Sequence, residues 1–175
     1  SKDSTVNELK KIKNKKIRII NNKTNVGKSF SIINALKKVE TEKVILIDCD
    51  LPYFNYLKKI VYYLDSYDLA IVNRKIYGSK NLDRKKNFYQ IARHYMSNFL
   101  GYLVEIFLKL NVNGDTQAGL KGFRLNNKIK NKKFFSKYYF FDIELISFFK
   151  KNKLKIKLKP LKYKISNQSS IKFFS

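Results

Sequence analysis

Residues 44–50, VILIDCD, constrain this chain most. Four consecutive apolar residues, three of them β-branched, end abruptly in two carboxylates with one residue between. A short, wholly apolar run predicts a strand buried on both faces. Ligands of such sheets bind beyond the carboxyl ends of the strands. Asp48 and Asp50 would stand at that edge, where oxygen ligands can hold a hard cation and its phosphate. The plainer alternative is a strand that ends in an Asp turn.

The charge balance narrows the partners. Lys and Arg number 38 against 13 Asp and Glu, a net of +25, while 44% of the residues are apolar. Such a chain is expected to bury a core and to attract polyanions: nucleic acid, anionic head groups or nucleotide phosphates. Cys49 is the one cysteine, so no internal disulfide can form. Neither CxxC nor HExxH occurs, which argues against a structural zinc. No run reaches the ~18 to 20 apolar residues of a spanning helix, and no signal peptide is recognised.

Taken in order, residues 6–16 show a very basic helical pattern, and residues 17–20 predict a short strand. Residues 29–39 carry a helical apolar stripe at Phe30, Ile32, Ile33, Leu36 and Val39. The strand 44–47, a helix over 55–64 and a strand over 69–72 complete a β-α-β-α-β order. That order predicts a mostly parallel sheet flanked by helices, an α/β domain with right-handed crossovers. Residues 87–110 predict a long aromatic helix whose basic flanks would suit a membrane interface, or a helix packed on the sheet. Residues 114–124 bear glycines, 141–149 predict a helix, and 154–158 alternate apolar residues with Lys as an edge strand would. The sheet is expected to continue at 163–165. No repeat or linker divides the chain, so residues 1–175 predict one domain.

Two resemblances compete for the phosphate chemistry. Residues 22–29, NKTNVGKS, with the strand ending at Asp48, resemble the P-loop of ParA-like ATPases, with Lys28 on phosphate and Ser29 on Mg²⁺. The P-loop glycines let backbone N–H groups wrap phosphate; here Asn22 and Asn25 occupy those positions. The other resemblance uses more of the chain. Asn25-x-Gly27-Lys28, an amphipathic helix and Asp48-x-Asp50 are followed by Val72-Asn73-Arg74, by Arg93 and Ser97 four residues apart, and by DTQAGLKGF at 115–123. Residues 141–145, FDIEL, and Ser169-Ser170 complete the order, and residues 1–5, SKDST, match the tail of an earlier segment. This series resembles family 2 glycosyltransferases of the GT-A fold. Its DTQAGLKGF run is similar to the polyprenyl-phosphate branch, the dolichyl-phosphate mannose and glucose synthases. Against that pattern the chain is expected to lack roughly one N-terminal βα unit, which leaves a catalytically inactive relative as an alternative.

The resemblance implies transfer of a hexose, with inversion, from a nucleoside-diphosphate sugar to a polyprenyl phosphate. It implies Mg²⁺ or Mn²⁺ on Asp48 and Asp50; Pro52 stands where some relatives have a further metal contact, Gln. It places Asn25, Lys28, Asp48 and Gln117 at the donor, Asp115 and Asp50 in catalysis, and Arg74, Arg93 and Ser97 at the acceptor phosphate. Arg suits that task through paired N–H donors. A phosphate nucleophile is largely anionic at neutral pH and needs no strong base, so His94 is expected to be a surface residue. Gly119 and Gly122 would keep the backbone close to the ligand, while Asp142 and Glu144 would orient their helix or touch the acceptor. The expected setting is peripheral attachment to the cytoplasmic face of a membrane, through the aromatic helix and residues 171–174. No specific nucleic acid is expected, since no recognised DNA- or RNA-binding motif accompanies the charge.

Overall fold

The computed structural model describes residues 4–49, 51, 53–81, 88–135 and 140–163, with residues 81, 88–90, 93 and 94 through their backbone only. Asp50, Pro52 and residues 164–175 lie outside the described residues, so the expectations placed on Asp50, Ser169, Ser170 and 171–174 do too.

A four-stranded sheet carries the domain. Strands β1 (Lys43–Ile47) and β2 (Leu69–Asn73) form where the apolar runs predict them. They do not neighbour each other. Strand β4 (Leu120–Arg124) lies between them, antiparallel to both, with Ile45 opposite Gly122 and Ile71 opposite Lys121. Strand β5 (Ile156–Pro160) closes the order β1-β4-β2-β5 and runs parallel to β2. All five residues of β2 are buried, as a central strand with four apolar residues requires, and buried Asn73 donates to the Val112 carbonyl. The sheet is therefore mixed, with the parallel component carried by β2 and β5. Lys80–Asn81 (β3) and Lys162–Tyr163 (β6) pair in a separate parallel ribbon, so Tyr163 does not extend the main sheet.

Helices cover both faces. Side chains alternate across a strand, and β4 shows which helix lies where. A Cβ on Gly122 would come within 2.7 Å of Ile60 on helix α3 (Leu57–Tyr63) and within 3.0 Å of Leu64 just beyond it. Phe123, on the opposite face, meets Phe149 of helix α6 (Phe141–Lys151) edge-on at 6.2 Å between centroids. Gly122 thus admits α3 to the sheet and does not border a ligand as the motif had suggested. Helices α1 (Thr5–Lys10), α2 (Gly27–Leu36), α4 (Phe88–Leu108) and the short, Asn126-capped α5 (Asn127–Lys130) complete the set.

The expected strand at 17–20 does not form. That segment has no regular secondary structure and pairs with no strand among the described residues, and Ile17 and Ile19 are both exposed. Among the described residues no neighbouring strand or helix buries Ile17 and Ile19 fully, so the apolar pattern lacks a packed face. The basic N-terminal helix ends at Lys10 and buries no residue.

Candidate active site

The strand directions place three chain segments at one edge. β1 and β2 end there, and β4 begins there because it runs against both. The five residues leading into β4, Asp115 to Gly119, cross this edge.

At the β1 end, the Asp48 amide donates to the Gly119 carbonyl at 2.9 Å. The Asp48 carboxylate lies directly over Gly119, where a Cβ would stand 2.5 Å from Oδ2. Gly119 is needed for that approach, not for its φ. The Lys28 ammonium binds Asp48 Oδ1 at 2.6 Å, and both side chains are partly exposed. Lys28 reaches it from the first turn of α2. The turn before that helix is held by Asn25, whose Oδ1 accepts the Gly27 amide at 3.1 Å while Gly27 takes φ +78°. Asn25 therefore shapes the turn that delivers Lys28.

The P-loop reading fails on the same residues. Asn25 occupies an N–H that a phosphate cradle would use. Ser29 is fully buried, and its hydroxyl accepts the Phe141 amide at 3.3 Å. Asn22 folds back on α2, donating to Ser31 Oγ at 2.9 Å.

At the β2 end, Asp115 is 1% exposed. Its carboxylate takes the Arg74 backbone N–H at 2.6 Å, Nε at 3.1 Å and Nη2 at 2.6 Å. Two residues expected to serve separate ligands are thus each other's partners. Burial alone would raise the Asp115 carboxyl; hydrogen bonds from Arg74 outweigh it and hold the group below its ordinary pKa. Burial likewise opposes the Arg74 guanidinium, and Asp115 overrides it and pushes the pKa up. Burial also raises the neighbouring Tyr53 phenol against the lowering pull of Arg74. It lowers the Lys75 ammonium, with Asp115 opposing.

The loop before Asp115 is fastened from several sides. Asn73 Nδ2 donates to the Val112 carbonyl at 2.7 Å, and Lys75 Nζ reaches the Gly114 carbonyl at 3.3 Å. Glu105 of α4 accepts the amides of Asn111, Val112 and Gly114. Glu105 was absent from the sequence reading. Its signal was there, since it is the one charged residue in 95–108.

The other nominated residues divide clearly. Gln117 is exposed on the crossing segment and Ser97 is exposed on α4. The side chains of Arg93 and His94 lie outside the described residues. Asp142 is a buried partner of Lys121 at 2.9 Å, and Lys121 also donates to the Ala118 carbonyl at 2.6 Å. Glu144 binds Lys132 at 2.7 Å and accepts the Phe135 amide. Both acids hold α6 to its neighbours. Among the described residues no group of three or more His, Cys, Asp or Glu gathers to hold a metal. Asp48 nonetheless fits a hard cation: it offers carboxylate oxygen at an open edge and already holds an ammonium there.

Helix α4 exposes apolar residues along one side. Tyr95, Phe99, Tyr102 and Ile106 form one exposed stripe, and Met96, Leu100 and Phe107 form the next. No helix among the described residues is long and apolar enough to cross a membrane.

The family model for glycosyl transferase family 2 matches residues 1–141. No curated protein matches the chain.

Proposed function

The chain belongs to glycosyl transferase family 2 and is a glycosyltransferase; we propose that it moves a hexose from a nucleoside-diphosphate sugar to a polyprenyl phosphate. The observation that carries this reading is the adjacency of the Asp115 loop and α4. Gly114 and Gly101 touch backbone to backbone, so closely that a Cβ on Gly114 would lie 2.7 Å from the Gly101 carbonyl. A helix with an exposed aromatic face thus abuts the segment that carries the sheet-edge carboxylate. An acceptor with an apolar tail and an anionic head needs an apolar surface beside a cation, and Arg74, partly exposed, is bound to that carboxylate.

In this reading an acceptor phosphate oxygen attacks the anomeric carbon as the bond to the nucleoside diphosphate breaks, with inversion. The nucleophile brings its own negative charge, so no base must remove a proton. Asp115, held ionised by Arg74, fixes that guanidinium at the sheet edge and does not act as a base. The outward part of the Arg74 guanidinium, with Arg93 and Ser97, holds the acceptor phosphate. Asp48 and Asp50 would hold Mg²⁺ or Mn²⁺, which would neutralise charge on the departing diphosphate. Lys28 and Gln117 complete the donor side. The exposed face of α4 rests on the cytoplasmic surface of a membrane, and a net charge of +25 adds attraction to anionic lipid.

Thermal stabilisation tests the donor half. UDP or GDP with Mn²⁺ at 100 times its Kd should add about 2.7 kcal/mol, and Asp48→Ala or Asp50→Ala should abolish the shift. Stabilisation by ATP alone would refute it. The acceptor half requires radiolabelled sugar to pass to polyprenyl phosphate in vesicles; transfer only to a water-soluble acceptor would overturn that half.

A further inference from the structure

We infer that Glu105 is a positioning residue: through the loop that it clamps, it sets where the Asp115 carboxylate stands. This rests on the reading of Asp115 as part of the transferase site. The loop between α4 and Asp115 takes a conformation that L residues rarely adopt. Lys109, Asn111 and Asn113 have φ +46°, +59° and +51°, and Gly114 has φ +68°. Such backbone persists only where its surroundings over-determine it.

Glu105 supplies that determination. One carboxylate accepts three loop amides, those of Asn111, Val112 at 3.1 Å and Gly114 at 3.1 Å. Three convergent N–H groups call for an anion with two acceptor oxygens. A neutral amide of the same shape has one. The Asp115 amide then closes on the Val112 carbonyl at 3.1 Å, so the clamped residues hand their position on to Asp115. Asp115 in turn meets the Arg74 amide at 2.6 Å, which makes that amide a reporter of its carboxylate. Glu105 sits on the helix whose outer face is apolar, one turn after Gly101. The clamp therefore ties the acceptor-side helix to the carboxylate at the sheet edge. Glu105 touches neither substrate nor reacting atoms.

The test is amide NMR on the full ¹⁵N-labelled chain, with Glu105→Gln, Glu105→Asp and Asp115→Asn. In Glu105→Gln, exchange at Asn111, Val112 and Gly114 should quicken about tenfold or more, as loss of hydrogen bonds to a charged acceptor implies. The Arg74 amide proton should move upfield in the same variant. Glu105→Asp keeps the charge on a shorter stem and should give intermediate shifts; it carries the test if the Gln variant does not fold. Asp115→Asn should move the Arg74 amide and leave Asn111 and Val112 protected. In transfer assays Glu105→Gln should lower kcat about tenfold with donor KM nearly unchanged, as expected where binding is kept and alignment lost. Loss of protection in the loop with an unmoved Arg74 amide would overturn the inference, since Glu105 would then hold only the loop. Failure of the wild type to glycosylate any polyprenyl phosphate would refute the proposed reaction instead, and the amide shifts would still decide the role of Glu105.

Discussion

Replacing Asp115 by Asn tests the electrostatic logic of the sheet edge. The carboxylate takes three N–H bonds from Arg74, one from backbone and two from the guanidinium, with Asp115 buried and the Arg74 side chain about a third exposed. Asn keeps the shape, retains one acceptor oxygen and turns an NH₂ toward donors. Removing one partner of a fully buried pair costs roughly 3–5 kcal/mol. Arg74 can turn partly to water, which brings the expectation down to about 3 kcal/mol. With a urea m-value of about 2 kcal/mol/M, the unfolding midpoint should fall by about 1.5 M. The pH dependence gives a second check. Arg74 holds the folded Asp115 below its ordinary pKa. Its stabilisation is therefore complete above the unfolded value near ~4 and is lost as pH falls through the folded one. The gap between wild type and Asp115→Asn should be widest at neutral pH and should close in acid. A midpoint change under about 0.5 M, or a gap that stays constant into acid, would refute the claim that charge holds this site.

Other consequences follow from single contacts. Gly119→Ala should displace the Asp48 carboxylate, since the new Cβ would stand 2.5 Å from Oδ2; Tm should change by only a few degrees, about 1 kcal/mol, while nucleotide-dependent stabilisation disappears. Lys121→Met should cost about 3 kcal/mol in urea unfolding because it strands buried Asp142, and Lys121→Met with Asp142→Leu should recover most of it; no recovery would mean that the Ala118 contact dominates. Phe99→Ser with Phe107→Ser, both exposed on α4, should weaken sedimentation with anionic vesicles about tenfold or more without lowering Tm; unchanged sedimentation would assign the binding to charge alone.

Much of this was legible in the sequence, and the failures have physical causes. β2 could be read because a strand buried on both faces is written as an unbroken apolar run; β1 is written the same way, but it stands at the end of the strand order and only Val44 is buried there. Asp48 followed from where β1 stops. The pattern at 17–20 was just as strand-like, yet Ile17 and Ile19 stay exposed; a local pattern cannot show whether anything will cover it. β4 was hidden for the opposite reason. Its centre reads Lys121-Gly122, which breaks a strand pattern twice, and both residues answer to tertiary partners. Gly122 makes room for Ile60 and Leu64, and Lys121 pairs with Asp142. Arg74 and Asp115 were each singled out, but nothing in a chain announces that two residues 41 positions apart will be bound to each other.

The antiparallel sense of β4 is what makes one site from these parts. Were β4 parallel to its neighbours, the Asp115–Gly119 segment would enter the sheet at the opposite edge, far from Asp48 and Arg74. Register is as demanding as direction. Strand side chains alternate, so a slip of β4 by one residue would turn Lys121 toward α3 and aim Gly122 at α6. The Lys121–Asp142 pair would break, and Ile60 and Leu64 would meet a lysine where they now meet no side chain. The slip would also carry Gly119 away from Asp48, where a side chain at the new position would collide with the carboxylate. A buried ion pair is weak evidence for stability by itself, but here it reports alignment. The same register that satisfies Lys121 in the core seats Asp48 over Gly119 at the edge. Core packing and site geometry are therefore one constraint, imposed by a five-residue strand that has no apolar signature of its own.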